Sequence, residues 1–241
     1  MNAILTVTYN TDFFIEHQLN RIRNLCKEDD VDIFVVNNTS KNKEEVSKNI
    51  EDVCLKYDAS YFFLGCTNFC GSLSHATGLN LAFNYISNTT KYERLMILDH
   101  DNIPFKEFST NSRYDLKGLK QERGQSHVYI APVFCSLNLN KIKNMDFMPA
   151  TIEGVAMDTG AHFYSFIKNL PPENVSFVKQ EHKYPDTNKF HEIIDERMFH
   201  FIRGSNWGIP GSPCLSEEEN AQKIKNLSEE YNKLSKGYKI K

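Results

Sequence analysis

Short apolar runs that each end on polar residues, separated by stretches of helical spacing, constrain this chain more than any other feature. Ala3 to Thr8, Val31 to Val36, Tyr61 to Leu64 and Leu95 to Leu98 are brief, apolar and bounded by turn signals, so each reads as a strand. Between them, Phe13 to Cys26 carries Phe14, Leu19, Ile22 and Leu25 at helical spacing, behind Thr11 or Asp12 as an N-cap. Lys43 to Tyr57 reads as a charged amphipathic helix. Ser72 to Ser87 reads as a helix with small residues early (Ser74, Ala76, Gly78) and bulky ones late (Leu81, Phe83, Ile86). Alternating strands and helices predict an α/β fold with a mainly parallel central sheet flanked by helices. Such sheets bind ligands at the carboxyl ends of their strands. Three of those ends are polar here: Tyr9-Asn10, Asn37-Asn38 and Asp99-His100-Asp101.

The second half is less regular. Ser109 to Gln125 is polar and reads as a loop or surface excursion, Val128 to Phe134 as a core strand, and Met148 to Asp158 as a loop. Gly160 to Leu170 reads as a helix and Val175 to Val178 as a strand. Met198 to Trp207 alternates apolar residues and then turns polar. Ser216 to Lys236 predicts a charged C-terminal helix whose stripe of Ile224, Leu227, Tyr231 and Leu234 packs on the body or on a second subunit of a homo-oligomer. With 241 residues, 40% of them hydrophobic, the chain supports one sizeable core. Residues 1–215 read as a single domain with halves 1–105 and 106–215, followed by a helical tail over 216–241.

A net charge of -3 offers no basic surface to nucleic acid. Six cysteines without a C-x-x-C pair read as reduced, mostly buried thiols of a reducing compartment. The N-terminus lacks the basic start and apolar run of a signal peptide, and no stretch is long enough to span a bilayer. These features predict a soluble, cytoplasmic protein.

Leu98-Asp99-His100-Asp101 carries the chemistry. Successive strand side chains point to opposite faces, so Asp99 and Asp101 point the same way. Two same-facing carboxylates at a strand end can hold a hard divalent cation against phosphate oxygens. The bland alternative is a pair of solvated loop acids.

Taken in order, the residues from about Ala3 to Trp207 resemble a GT-A fold (Rossmann-like) glycosyltransferase of the inverting, family-2-like group. Val7-Thr8-Tyr9-Asn10 resembles the first strand end, Val35-Val36-Asn37-Asn38-Thr39-Ser40 the second, and Asn68 to Leu79 the Gly-rich stretch and helix start beside the nucleotide. Leu98-Asp99-His100-Asp101 resembles the D-x-D motif. Asp158-Thr159-Gly160 lies where the family places its acceptor-side acid, and His200, before Arg203-Gly204-Ser205, resembles its late metal-binding histidine. Two positions depart from the pattern: Asn37 replaces the second-strand acid, and His75-Ala76 replaces an Arg-Asn pair at the helix start.

The resemblance implies a donor of the UDP-, dTDP- or GDP-sugar class, with a deoxyhexose such as rhamnose as a guess, and a glycan or lipid-linked sugar as acceptor. It implies donor contacts from Thr8, Tyr9, Asn10, Asn37, Asn38, His75, Asp99, His100 and Arg203. It also implies Mn²⁺ or Mg²⁺ held by Asp99, Asp101 and His200, and acceptor contacts at Gly160 and Trp207. The residues keep simpler alternatives open. His200 also suits a buried core position, Arg203 a surface ion pair, Tyr9 an ordinary strand end and Trp207 core packing. Asp158 suits a general base taking the acceptor hydroxyl proton or an N-cap of the helix from Gly160. Asp195, Glu196 and Glu153 are alternative bases. A phosphatase of the haloacid dehalogenase type would put D-x-D after its first strand, and a sugar-nucleotide pyrophosphorylase needs a basic Gly-rich loop after strand one. Neither fits. A catalytically inactive sugar-nucleotide or glycan-binding relative is the remaining alternative.

Overall fold

The first strand, β1 (Asn2–Thr8), is buried along its whole length, because apolar side chains point to both of its faces. β2 (Val31–Asn37) and β4 (Arg94–Leu98) beside it are buried as well, apart from the half-buried Asp32 and Arg94. The structure, a computed structural model, describes residues 1–39, 43–65, 71–89, 91–124, 126–184 and 188–202, together with Glu218, Lys225 and Glu229. The remaining elements are α1 (Asp12–Leu25), α2 (Glu44–Lys56), β3 (Ser60–Phe63), α3 (Ser72–Ser87), β5 (Asn102–Pro104), β6 (Leu116–Arg123), β7 (His127–Asn138), β8 (Ala150–Ile152), β9 (Val155–Met157), α4 (Phe163–Asn169), β10 (Val175–Val178), β11 (Gln180–Tyr184), β12 (Asn188–Ile194) and β13 (Met198–Phe201).

Seven strands form the central sheet in the order β10-β6-β7-β4-β1-β2-β3. All of its pairings are parallel except those of β7, which runs against both β4 and β6. The sheet is therefore mainly parallel and flanked by helices, the α/β architecture expected from the strand–helix alternation.

Two core layers lie on its two faces. Ala3, Leu5 and Val7 of β1 join Phe34, Val36, Leu95 and Ile97 under α3 and α4. Ile4, Ile33, Val35, Met96 and Leu98 face Ile15, Leu19 and Ile22 of α1 and Ile50 and Cys54 of α2. Each aliphatic side chain taken out of water in this way contributes about 1.5–3 kcal/mol. Gly78 lets α3 lie close to the sheet: a Cβ there would come within 2.9 Å of Val7 Cγ1 and 3.3 Å of Val36 Cγ1.

A second sheet, β11-β12-β13-β5, is antiparallel throughout. It grows out of the end of β4, because β5 starts one tight turn after that strand. Phe14 of α1 packs with Ile103, Phe199 and Phe201, which ties this small sheet to the main body.

The second half corrects the sequence reading in several places. The polar stretch Ser109 to Gln125 contains β6, whose outer residues are exposed while Leu116 and Leu119 are buried. The Met148 to Asp158 loop contains the hairpin β8–β9, and the helix read from Gly160 starts at Phe163. The C-terminal helix falls outside the described residues apart from Glu218, Lys225 and Glu229, whose backbone is helical.

Candidate functional site

The crossover pattern predicts where a ligand would sit. From β1 the chain moves outward to β2 on one side and returns to β4 on the other, leaving a crevice beyond the carboxyl ends of β1 and β4. A cavity of about 520 Å³ opens there. Its lining includes Tyr9 and Asn38 from the first two strand ends, Ser72, Ser74 and His75 from the start of α3, and Asp99 and His100 after β4. Asp158 and Thr159 line it from the far side, and Glu192 and His200 from the small sheet.

Asp99 to Asn102 is a turn rather than a strand continuation: the Asn102 N–H donates to the Asp99 carbonyl at 2.9 Å. A turn, and not the strand alternation expected from the sequence, brings the two carboxylates together. Asp99, His100 and Asp101 each offer a ligand atom within 4.8 Å of the others. Neighbouring elements hold the turn. Gln18 of α1, fully buried, donates to the Asp99 carbonyl at 2.6 Å and the Asn102 carbonyl at 2.9 Å. From the other side, the Asp99 N–H and the Asn102 side chain both donate to the Val133 carbonyl of β7.

Strand register supplies the rest. His200 of β13 lies opposite Asn102 of β5 on one side and Glu192 of β12 on the other. Its Nε2 is 3.4 Å from Asp101 Oδ1, and its Nδ1 is 2.8 Å from Glu192 Oε1. Asp101, Glu192 and His200 are all buried. Gln180 of β11 donates through Nε2 to Glu192 Oε2.

The electrostatics describe a site built for a positive charge. Burial alone would raise the Asp99 carboxyl, but the field of His75, His100 with its hydrogen bond, and His200 hold it well below the ordinary carboxylate range. His75 Nε2 stands 3.9 Å from Asp99 Oδ1, and His100 Nδ1 stands 3.0 Å from the same oxygen. Burial alone would lower His200, but Asp101 and Glu192 outweigh it and push the imidazole up to about 10. His100 is raised for the same reason, by Asp101 and Asp99 against burial. The His200 imidazole proton therefore supplies positive charge among the carboxylates. Carboxylate oxygens and imidazole nitrogen are ligands that Mn²⁺ or Mg²⁺ accepts, so the residues present fit such an ion.

The other predicted site residues divide in two. Tyr9, Asn38, His75, His100 and Asp158 line the cavity, and Asn38 also reaches across to α3, donating to the Ser74 carbonyl at 2.8 Å. Thr8, Asn10, Asn37 and Gly160 are not part of its lining. Thr8 Oγ1 faces Thr11, and the Asn10 N–H donates to Thr39 Oγ1 at 3.2 Å. Asn37 is fully buried and turns its amide to Ser47 Oγ at 2.7 Å and the Tyr61 hydroxyl at 2.9 Å. Gly160 adopts φ +87°, and a Cβ there would meet the Ile130 carbonyl at 2.6 Å, so the chain's own backbone fills the space. Arg203 and Trp207 lie outside the described residues.

Asp158 does not cap α4, whose N-cap is His162. Its Oδ1 accepts the Thr159 N–H at 2.8 Å, and its own N–H donates to the Tyr129 hydroxyl at 3.3 Å. Asp195 and Glu196, both at positive φ, form the turn between β12 and β13, where Asp195 pairs with Lys117 at 2.8 Å. Glu153 sits in the β8–β9 turn and accepts from the Tyr164 hydroxyl at 2.6 Å and Lys168 at 3.0 Å. Sequence reasoning missed Glu192, Gln180 and Gln18. Gln18 alone left a signal, as a polar residue within the apolar stripe of α1.

Cys26, Cys54 and Cys135 are free thiols, and burial pushes the first two up to about 11 and about 12. Cys66, Cys70 and Cys214 lie outside the described residues. Among the described residues, no helix is long and apolar enough to cross a membrane.

No family model and no curated protein matches the chain. Among solved structures it is similar to a mannosyltransferase from Pyrobaculum calidifontis in complex with GDP-Man and Mn²⁺, at 17% identity over 50% of this chain and 35% of that one, with a TM-score of 0.36. It is also similar to S. aureus TarS, at 16% identity over 44% of this chain and 17% of that one, with a TM-score of 0.32. A third likeness is to the galactosyltransferase LgtC in complex with donor and acceptor sugar analogs, at 10% identity over 74% of this chain and 73% of that one, with a TM-score of 0.47. The chain thus spans 35% and 17% of the lengths of the first two. What its cavity can bind is decided by its own residues.

Proposed function

We infer that the chain is a metal-dependent glycosyltransferase with a GT-A-like fold. It would move a sugar from a nucleotide-diphosphate donor to a hydroxyl of a glycan or lipid-linked acceptor, with inversion. One observation carries this reading: a single cavity is lined by Asp99, Glu192 and His200, with Asp101 in contact with His200, and by Asp158. The volume suits a small organic ligand. The first turn of α3, which has no side-chain cap among the described residues, adds backbone N–H groups and the positive end of its dipole, which favour an anionic diphosphate.

Asp101 and His200 would hold Mn²⁺ or Mg²⁺, and Asp99 would contact the ribose or reach the ion through water. Such a cation would supply Lewis-acid neutralisation of charge growing on the departing diphosphate. Asp158 would take the acceptor hydroxyl proton as that oxygen attacks the anomeric carbon, while the glycosidic electron pair leaves with the diphosphate oxygen. The Thr159 N–H donates to one oxygen of the Asp158 carboxylate, which restrains it. Residues 1–105 would then serve the nucleotide and 106–215 the acceptor. The buried thiols Cys54 and Cys135 fit a reducing compartment, which supports a cytoplasmic location as part of this proposal.

The test is a donor screen: the chain with Mn²⁺ and a panel of UDP-, dTDP- and GDP-sugars, read as slow release of nucleoside diphosphate. Release from one donor that disappears in Asp101→Ala supports the reading and names the donor. No release from any donor, with no metal-coupled thermal stabilisation, would leave an inactive binding protein.

A further inference from the structure

Glu192 is a buried carboxylate that the mechanism above leaves without a task. It lies directly across the β12–β13 pairing from His200, and its Oε1 is 2.8 Å from His200 Nδ1. Its other oxygen accepts the Gln180 amide. The two oxygens are thus divided between two strands, which fixes the plane of the carboxylate. An imidazole whose Nδ1 is held in this way must present Nε2 to anything it coordinates. Here Nε2 faces Asp101, 3.4 Å away.

We propose that Glu192 is a positioning residue. Steadied by Gln180, it orients the His200 ring so that Nε2 and the Asp101 carboxylate converge on one cation. The inference rests on the metal reading of Asp101 and His200 and adds residues that no motif marks. A carboxylate behind a ligating histidine fixes its tautomer and raises its basicity, and losing one typically weakens metal binding 10–100-fold. Glu192 sits on a strand of the small sheet, whereas Asp101 follows a strand of the large one, so the pairing also sets the distance between the two ligand-bearing segments.

The experiment measures Mn²⁺ binding to the whole chain by electron paramagnetic resonance at pH 8, with Mn²⁺ alone and with UDP, dTDP or GDP present. It reads affinity, the ¹⁴N coupling of a ligated imidazole and the number of bound waters. The wild type is expected to show the nitrogen coupling, and His200→Ala to lose it. Glu192→Leu, its fold checked by near-UV circular dichroism, should lose the coupling and about 10–100-fold in affinity although His200 is still present. Glu192→Gln, whose amide oxygen can still accept from Nδ1, should keep the coupling. Gln180→Leu perturbs the same support from outside and should weaken binding in the same direction, which keeps the test decisive if Glu192→Leu does not fold. Unchanged affinity and coupling in Glu192→Leu and Gln180→Leu, alongside loss in His200→Ala, would overturn the positioning role and leave the metal reading intact. An extra bound water in Glu192→Gln would make Glu192 a direct ligand and also overturn it. No Mn²⁺ binding by the wild type, or binding untouched by His200→Ala and Asp101→Ala, would overturn the metal reading itself.

Discussion

His200 Nε2 lies 3.4 Å from Asp101 Oδ1, a contact made between a strand of the small sheet and the turn that ends a strand of the large one. In the metal-free chain that imidazole holds its proton up to about pH 10 instead of the ordinary 6.5. The folded chain then binds the proton more tightly than the unfolded one. Its stabilising effect is complete below pH 6.5 and is lost as the pH rises toward about 10. A metal needs the neutral ring, so Mn²⁺ binding at pH 8 is expected to release about one proton, with affinity rising across the same window. Titration calorimetry in two buffers of different protonation enthalpy checks this, and identical heats in both would remove His200 from the ligand set.

Gln18→Leu is expected to damage the site from behind. The substitution removes the Gln18 donor from the buried Asn102 carbonyl and leaves the Asp99 carbonyl with the Asn102 N–H alone. A buried acceptor left unsatisfied costs about 1–3 kcal/mol. Urea denaturation should show that loss. Mn²⁺ affinity should fall as well, because the turn carrying Asp99 and Asp101 loses its hold on α1. A variant as stable as wild type would show that the clamp is unimportant.

How much of this was legible in the sequence depends on burial. The strands β1, β2 and β4 and the helices α1 to α3 announce themselves because both faces, or one full stripe, are apolar. The strand β6 hides because Lys120, Glu122 and Arg123 lie on an exposed end and leave only Leu116 and Leu119 to mark it. Asp99 and Asp101 were visible as a pair because their spacing is local. Glu192 was not, because its partner is set by the register of a hairpin whose turn, Asp195-Glu196, carries no glycine although both residues have positive φ. The departure at Asn37 was visible, but its cause was not: the amide serves Ser47 and Tyr61 inside the protein.

Gly160→Ala should be costly for reasons separate from any ligand. The backbone has φ +87°, and the new methyl would press on the Ile130 carbonyl at 2.6 Å. Left-handed strain and overpacking together predict a loss of about 2–4 kcal/mol in chemical denaturation. A loss below about 1 kcal/mol would mean that the loop relaxes easily.

Asp101→Ala and Asp158→Asn should separate binding from chemistry. The first is expected to abolish metal-dependent donor binding, measured as nucleotide-dependent stabilisation by Mn²⁺. The second should leave that stabilisation intact and lower kcat by about 100-fold or more, the usual scale of a lost general base. Equal loss of both properties in Asp158→Asn would assign that residue a structural task instead.

The three-residue strand β5 belongs to the small sheet, yet it begins one turn after a strand of the large one. A cation gripped by Asp101 and His200 would therefore act as a rivet between the two sheets, closing a long loop of chain that strand pairing and the Phe14 cluster already hold together. Loading the site is then a mechanical event as well as a chemical one: hydrogen exchange should slow along β12 and β13 when the rivet is set, and that wall of the cavity should stiffen.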